Sequence, residues 1–267
     1  MTPSSANSSQ SLAGKVILIS GSSSGIGAAT AHEVAGRGAH VIINYPTPAQ
    51  KSEAEAVCQS LPASAKAFAV EADLSTLEGP AKLASAAAAA HGGRIDVLVN
   101  NAGTGAMLFT DEPNDAVHQG AWDRVMNLNG RGTYLLTRAV LPYLSKSNSR
   151  IINISSDNAR DPQPQMTIYA GSKGMIESFT RSWARELPRK YGCTVNCVAP
   201  GPVATEAVKR FPKEFHDKTQ KLLESTPVAP RMGEPEELAW VVAMLCEEGS
   251  SWVNGQIVPV NGGSVLS

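Results

Sequence analysis

The chain has 267 residues, 42% of them hydrophobic and 18% charged, which is enough apolar mass for a packed core and too little charge for a disordered polymer. Lys and Arg number 23 against 24 Asp and Glu, so the formal net charge of -1 leaves no basic surplus for nucleic-acid phosphates. No apolar run approaches the roughly 20 residues of a membrane-spanning helix, and four cysteines without a CxxC pair make neither a disulfide framework nor a zinc site, so no metal is expected.

The chain opens with MTPSSANSSQ, Ser-rich and without Lys, Arg or an apolar segment. Residues 1–11 therefore read as a disordered tail and not as a signal peptide. The end GGSVLS carries no retention or peroxisomal address, so a cytoplasmic location is expected. From residue 12 to 267 the pattern is one folded domain. KVILIS (Lys15–Ser20) predicts a strand, Ile26–Arg37 a helix, HVIIN (His40–Asn44) a second strand and Ala49–Leu61 a helix. AKAFAVEAD is a third strand before a helix over Gly79–His91, and RIDVLVNNAG a fourth before a long helix over Trp122–Leu144. RIINIS (Arg150–Ser155), a helix over Ile168–Tyr191, the strand CTVNCV, a helix over Glu234–Cys246 and the strand QIVPV (Gln256–Val260) complete the series. Seven apolar strands alternating with helices, without hairpin signals, predict an α/β fold with a parallel, doubly wound sheet covered on both faces. Two longer loops, Thr104–Ala121 and Pro200–Pro230, follow strand ends and are lid candidates. Cys193 and Cys197 share one face of their strand and read as buried thiols.

GSSSGIG, with Gly21, Gly25 and Gly27, lies between the first strand and the first helix. Such a turn leaves helix-start N–H groups open to a pyrophosphate and removes the Cβ atoms that would block its approach. An ordinary glycine-rich turn would read the same, since the spacing is not GxGxxG. The residues proposed to border a dinucleotide are Gly21, Ser23, Ser24, Gly25, Ile26 and Gly27. About 20 residues on, a dinucleotide fold places the group that selects NAD or NADP. Here Asn44, Tyr45, Pro46 and Thr47 supply no carboxylate, which favours NADP(H) over NAD(H) although no basic clamp is present. Asp73 and Leu74 are placed to meet adenine, and Asn101, Ala102 and Gly103 follow the fourth strand on the same edge.

Tyr169 and Lys173 in YAGSK share a helix face, a spacing that on many helices is plain surface. An ammonium beside a phenol lowers the phenol's pKa and makes it a general acid for a carbonyl oxygen. Ser155 and Ser156 end the fifth strand, and Tyr169 comes 13 residues after Ser156. Alternation along the strand selects Ser156 as the hydroxyl that polarises the carbonyl. Asn127 in NLNG is the amide chosen to connect Lys173 to solvent, with Asn129 close enough to compete.

GSSSGIG, NNAG, NLNG, ISS, YAGSK and PGPVAT resemble, in order and spacing, the short-chain dehydrogenase/reductase family, over roughly Leu12–Gly263. The resemblance implies a single Rossmann-like domain, a nicotinamide cofactor and a tetrad falling on Asn127, Ser156, Tyr169 and Lys173. It also implies that Lys173 binds the nicotinamide ribose, that Val203 and Thr205, with Pro200 and Gly201 beside them, meet the carboxamide, and that the enzyme is a homotetramer or homodimer. IINYPT, YAGSKGMIESF and SSWVNGQ look most like fungal naphthol and polyketide reductases, with 3-oxoacyl carrier-protein reductases a step away. Ser20 in place of Thr, and Asn261 in place of Asp, depart from that pattern. The expected function is NADPH-dependent reduction of an aromatic or polyketide-like ketone in secondary metabolism. Met107, Leu108, Met166, Ile168, Phe211 and Phe215 are candidate pocket walls or, equally, loop staples. The alternatives are an NAD-dependent alcohol, sterol or sugar dehydrogenase, and a cofactor-binding scaffold or non-redox catalyst that has lost hydride transfer.

Overall fold

The computed structural model describes residues 10–209 and 213–266, with the side chains of 207 and 214–218 outside that description. Seven strands form one sheet: β1 (Val16–Ile19), β2 (His40–Tyr45), β3 (Phe68–Glu71), β4 (Val97–Asn100), β5 (Ser149–Ile154), β6 (Cys193–Pro200) and β7 (Ile257–Val260). Their order is β3-β2-β1-β4-β5-β6-β7, every pairing parallel. The continuous apolar runs are explained by cover on both faces: β1, β4, β5 and β6 are buried along their whole length.

Ten helices among the described residues complete the molecule. They are α1 (Gly25–Gly36), α2 (Lys51–Ser60), α3 (Gly79–Ala90), α4 (Asp115–Val125), α5 (Thr133–Val140), α6 (Thr167–Glu186), α7 (Pro188–Tyr191), α8 (Glu206–Lys209), α9 (Lys213–Leu223) and α10 (Pro235–Cys246). One core layer joins Val34, Ala54 and Val242 to Ile17, Ile43 and Ile152 of the sheet. The other joins Leu83, Leu136 and Trp183 to Leu18, Leu98 and Ile151. The architecture is a single doubly wound, Rossmann-like domain. Among the described residues no helix is long and apolar enough to cross a membrane, and no group of three or more His, Cys, Asp or Glu could hold a metal ion.

Three segments differ from the sequence expectation. The helix expected from Trp122 starts at Asp115, because the Asn114 side chain accepts from the Ala116 N–H (3.0 Å) and caps it. Its middle, Met126–Gly132, is a π-helical turn that separates α4 from α5. The helix expected to run to Tyr191 stops at Glu186, and Pro188 opens the short α7, as its missing N–H requires. The expected loop Pro200–Pro230 holds α8 and α9. Residues 1–9 of the expected tail lie outside the described residues, while Ser11 Oγ already donates to Glu247 Oε1 (2.7 Å) and Leu12 is fully buried. Cys193, Cys197 and Cys246 are buried free thiols, and burial pushes Cys197 up to about 12.

Buried amides tie the central strands to their helices. Asn100 Nδ2 donates to Asn153 Oδ1 (2.8 Å) and to Thr137 Oγ1 on α5 (2.9 Å), and Asn153 Nδ2 donates to Thr180 Oγ1 on α6 (2.8 Å). Asn153→Ala removes two of these bonds inside the core. It should cost about 2 kcal/mol, read as a lower denaturation midpoint at unchanged slope.

Candidate active site

Strand order reverses between β1 and β4, so the loops leaving these strands part and open a crevice at their carboxyl ends. The two loops are clasped at its floor. Ser20 Oγ accepts from the N–H groups of Asn101 (2.9 Å) and Ala102 (3.0 Å). Asn101 Nδ2 donates back to the carbonyls of Ser20 and Gly21 (2.9 Å each). A serine serves this clasp, since of its side chain the hydroxyl alone takes part.

Gly21 has φ +59, and a Cβ on Gly27 would lie 2.5 Å from the Gly21 carbonyl oxygen and 2.7 Å from Asn101 Nδ2. The turn therefore closes only on glycines. Ser24 stands exposed at the start of α1, extended in backbone, with no side-chain cap bond. The first N–H groups of a 12-residue helix are thus left to a ligand, with the positive end of its dipole behind them. Ser23, Gly25 and Ile26 are half-buried on the lip, and Gly25 faces Thr205, whose Cγ2 would be 3.3 Å from an added Cβ. The segment after β6, Pro200–Thr205, closes over the glycine turn: Gly201 N donates to the Val260 carbonyl (3.1 Å), and Val203 is buried in a bridge to Gly233. These surfaces fit a dinucleotide pyrophosphate.

At the end of β2 the expected contacts shift. Asn44 is buried, its Oδ1 accepting from Gly21 N (3.0 Å) and its Nδ2 donating to the carbonyls of Ala72 (3.0 Å) and Val70 (3.3 Å). Tyr45 is buried in the core. Both side chains serve the protein, and Pro46 and Thr47 after them are exposed. Asp73 Oδ1 accepts from the N–H (2.9 Å) and hydroxyl (2.7 Å) of Ser75, and the Leu74 side chain is buried.

Across the crevice, α6 presents Tyr169 and Lys173. Lys173 is 5% exposed; its Nζ donates to the Ile154 carbonyl (2.8 Å) and lies 5.8 Å from the centre of the Tyr169 ring. Ser155 Oγ donates to the Lys173 carbonyl (3.1 Å) and so holds the helix. The Ser156 hydroxyl acts on the Tyr169 phenol and favours its charged form. The loop after β4 forms the opposite wall: a Cβ on Gly103 would lie 3.3 Å from Lys173 Nζ and 3.4 Å from Asn129 Oδ1.

The amide beside Lys173 is Asn129, which corrects the choice of Asn127. Asn129 is 1% exposed and exchanges bonds with Thr104, accepting from its N–H and donating to its carbonyl (2.9 Å each), while Nδ2 also donates to Ser172 Oγ (2.9 Å). Asn127 is half-buried and takes no part in these contacts. The π-helical turn carries both residues and decides which one faces the crevice; helical periodicity does not foresee it. A second residue passed over by the sequence reading is Asp157, buried and accepting from Ser156 Oγ at 3.3 Å. Its only signal was adjacency in ISSD.

The electrostatics differ from the simple ammonium–phenol picture. Burial raises the Tyr169 pKa above its ordinary value, the Ser156 hydroxyl opposes the rise, and the Asp157 charge adds to it. Burial lowers Lys173 to about 8 and raises Asp157 to about 6. Tyr169 therefore keeps its proton at neutral pH, as a proton donor must.

Leu108 and Ile168 pack on a small apolar cluster of Ala106, Ala121 and Val125 beside the crevice, while Met107 is exposed and Met166 half-buried at the start of α6. Phe211 lies outside the described residues, as does the side chain of Phe215.

Gly27→Ala should break the turn, lowering thermal stability and abolishing the fluorescence change on NADPH addition. Gly36→Ala, exposed in the same helix with nothing within 4 Å of the added Cβ, should be neutral or stabilise by up to about 1 kcal/mol.

Comparison with known proteins agrees with this geometry. A family model described as enoyl-(acyl carrier protein) reductase matches residues 21–265. The short-chain dehydrogenase/reductase FrzI of Cladobotryum sp. is 42% identical over 264 residues, covering 97% of this chain and 99% of its own. The hydroxynaphthalene reductase-like protein Arp2 of Metarhizium guizhouense is 36% identical over 275 residues, covering 98% and 99%. Among solved structures, a short-chain dehydrogenase/reductase of Brucella melitensis, described as a glucose/ribitol dehydrogenase, superposes with a TM-score of 0.86 at 28% identity, over 96% of this chain and 99% of that one. A short chain dehydrogenase of Burkholderia cenocepacia in complex with NADP superposes at 0.84 with 30% identity, over 95% and 98%. The chain belongs to the short-chain dehydrogenase/reductase family, whose members are NAD(P)-dependent oxidoreductases.

Proposed function

We propose that the protein is an NADPH-dependent ketoreductase acting on an aromatic or polyketide-like ketone, with Tyr169 as general acid. The observation that carries this reading is the placing of the Tyr169 phenol on the wall opposite Gly103, with the Ser156 hydroxyl acting on it and buried Lys173 5.8 Å from its ring centre. With its pyrophosphate on the glycine turn, a reduced cofactor held by Lys173 and the Pro200–Thr205 segment would supply the hydride. The Ser156 hydroxyl and the Tyr169 hydroxyl converge on the ketone oxygen, and Tyr169 gives it a proton as negative charge develops there. Lys173 holds positive charge close to the phenol as that proton leaves. Asn129 ties the loop after β4 to α6 through Thr104 and Ser172.

Several features support the finer points. No carboxylate stands at exposed Pro46 and Thr47, so a ribose 2′-phosphate meets no repulsion there. Gly21 to Gly27, Asp73 and Leu74, Asn101 to Gly103 and Pro200 to Thr205 border the cofactor in this reading, within one domain from residue 12 onward. The name of the fungal hydroxynaphthalene reductase-like relative supports an aromatic ketone of secondary metabolism as substrate, and turnover in the cytoplasm belongs to the same proposal. Association of two or four copies through the long helices is supported by Tyr134, 47% exposed, against Phe179 and Trp183.

Tyr169→Phe should reduce turnover by about three orders of magnitude or more, while NADPH affinity stays within a few-fold. Unchanged turnover would remove Tyr169 from the chemistry, and tighter binding of NADH than of NADPH would replace the cofactor. Because Lys173 loses its proton near 8, kcat/KM for NADPH should fall as pH rises through that value. A flat profile from pH 7 to about 9 would show that the Lys173 charge is not used.

A further inference from the structure

Resting on the reductase reading, we propose that Asp157 is a specificity-determining residue that binds a protonated amine carried by the ketone substrate. The carboxyl belongs to the first residue of the short 3-10 turn Asp157–Ala159 that follows β5, next in sequence to Ser156, and Asp157 is 8% exposed. Its Oδ1 accepts from Ser156 Oγ (3.3 Å) and from Asn158 Nδ2 (3.4 Å). Its Oδ2 would lie 3.3 Å from a Cβ on Gly201, at the turn leaving β6. The carboxyl thus bridges the reacting hydroxyl and the segment that closes over the cofactor cradle.

Among the described residues no Lys, Arg or His pairs with Asp157. The nearby Arg160 guanidinium pairs with Glu177 at 3.3 Å, and the charge that acts on Asp157 is that of Asp161, of like sign. A carboxylate removed from water without a counter-charge is costly, and a docked substrate would strip away what water remains. The missing positive charge therefore arrives with the substrate. One hydrogen bond separates Ser156 Oγ from the carboxylate, and another of about 2.8 Å would separate it from the ketone oxygen. The carboxylate oxygen accordingly lies within about 6 Å of the ketone oxygen, and an amine one further hydrogen bond from the carboxylate is in the reach of an α- or β-amino ketone.

Binding and reactivity are then coupled. A serine hydroxyl has a single hydrogen, which points at Asp157 in the free protein. An ammonium that takes over the carboxylate leaves this hydrogen to the carbonyl oxygen.

The test compares two ketones of matched shape at pH 7 with saturating NADPH: N-methyl-3-piperidone and 3-methylcyclohexanone. Wild type should favour the amino ketone in kcat/KM by about tenfold or more. Asp157→Asn should bring this ratio, taken within one protein, close to one, whereas Asp161→Asn, on the exposed part of the same loop, should keep it. A wild-type ratio near one, or a preference that survives Asp157→Asn, overturns the proposal. Calorimetric binding of N-methyl-3-piperidinol to the protein with NADP+ gives a readout that needs no turnover. About tenfold weaker binding to Asp157→Asn supports the amine site, and equal binding overturns it. If neither ketone turns over while amine binding depends on Asp157, the reductase reading fails and the amine site stands. Reduction of the neutral ketone with no amine preference does the reverse.

Discussion

The clasp between the first and fourth strands is the constraint on which the rest of the site depends. A doubly wound sheet has to leave a gap where its order reverses, and two chains leaving adjacent strands in opposite senses would otherwise be free to drift. Ser20 and Asn101 stop that drift with four hydrogen bonds across the gap. With the gap held, the glycine turn keeps its N–H groups outward, and the strand leading to Gly103 is set against the face of α6 that bears Lys173.

From this base the chemistry is assembled by burial. Tyr169, Lys173 and Asp157 all move away from their ordinary pKa values for one first cause, the loss of water, and each moves in the direction that disfavours its charge. The consequence is a poised set of groups: a phenol that retains its proton, an amine with a labile one, and a carboxyl within reach of neutralisation. Ser156 donates to the acid and its hydroxyl acts on the phenol, so a change at either end is felt at the other.

Much of the fold was legible because each strand is a short apolar run and each helix is set off by glycine, proline or polar residues. VILI, HVIINY and VLVN fall where the sequence puts them, since a sheet covered on both faces has no need of alternation. The misplaced helix start had a local sign, the Asn114 cap followed by Asp115, that was outweighed by weak apolar periodicity. Asn44 shows a different gap. Its position at a strand end was readable, but not that its amide would be consumed by Gly21 and by the strand beside it. Asn129 lay beyond reach for a geometric reason: two asparagines two positions apart are separated only by the winding of the backbone between them.

That winding has a further implication. A π-helical turn carries one residue more than an α-helix of equal rise, so α4 and α5 meet out of phase, and Asn129 faces Thr104 only while the surplus is kept. Loss of any one residue from Met126–Gly132 would let the backbone relax to regular winding and swing the amide by about 100°. Surface loops of the same protein can lengthen or shorten freely, but this stretch cannot change its count by one, so a span with no reacting group of its own is locked in length.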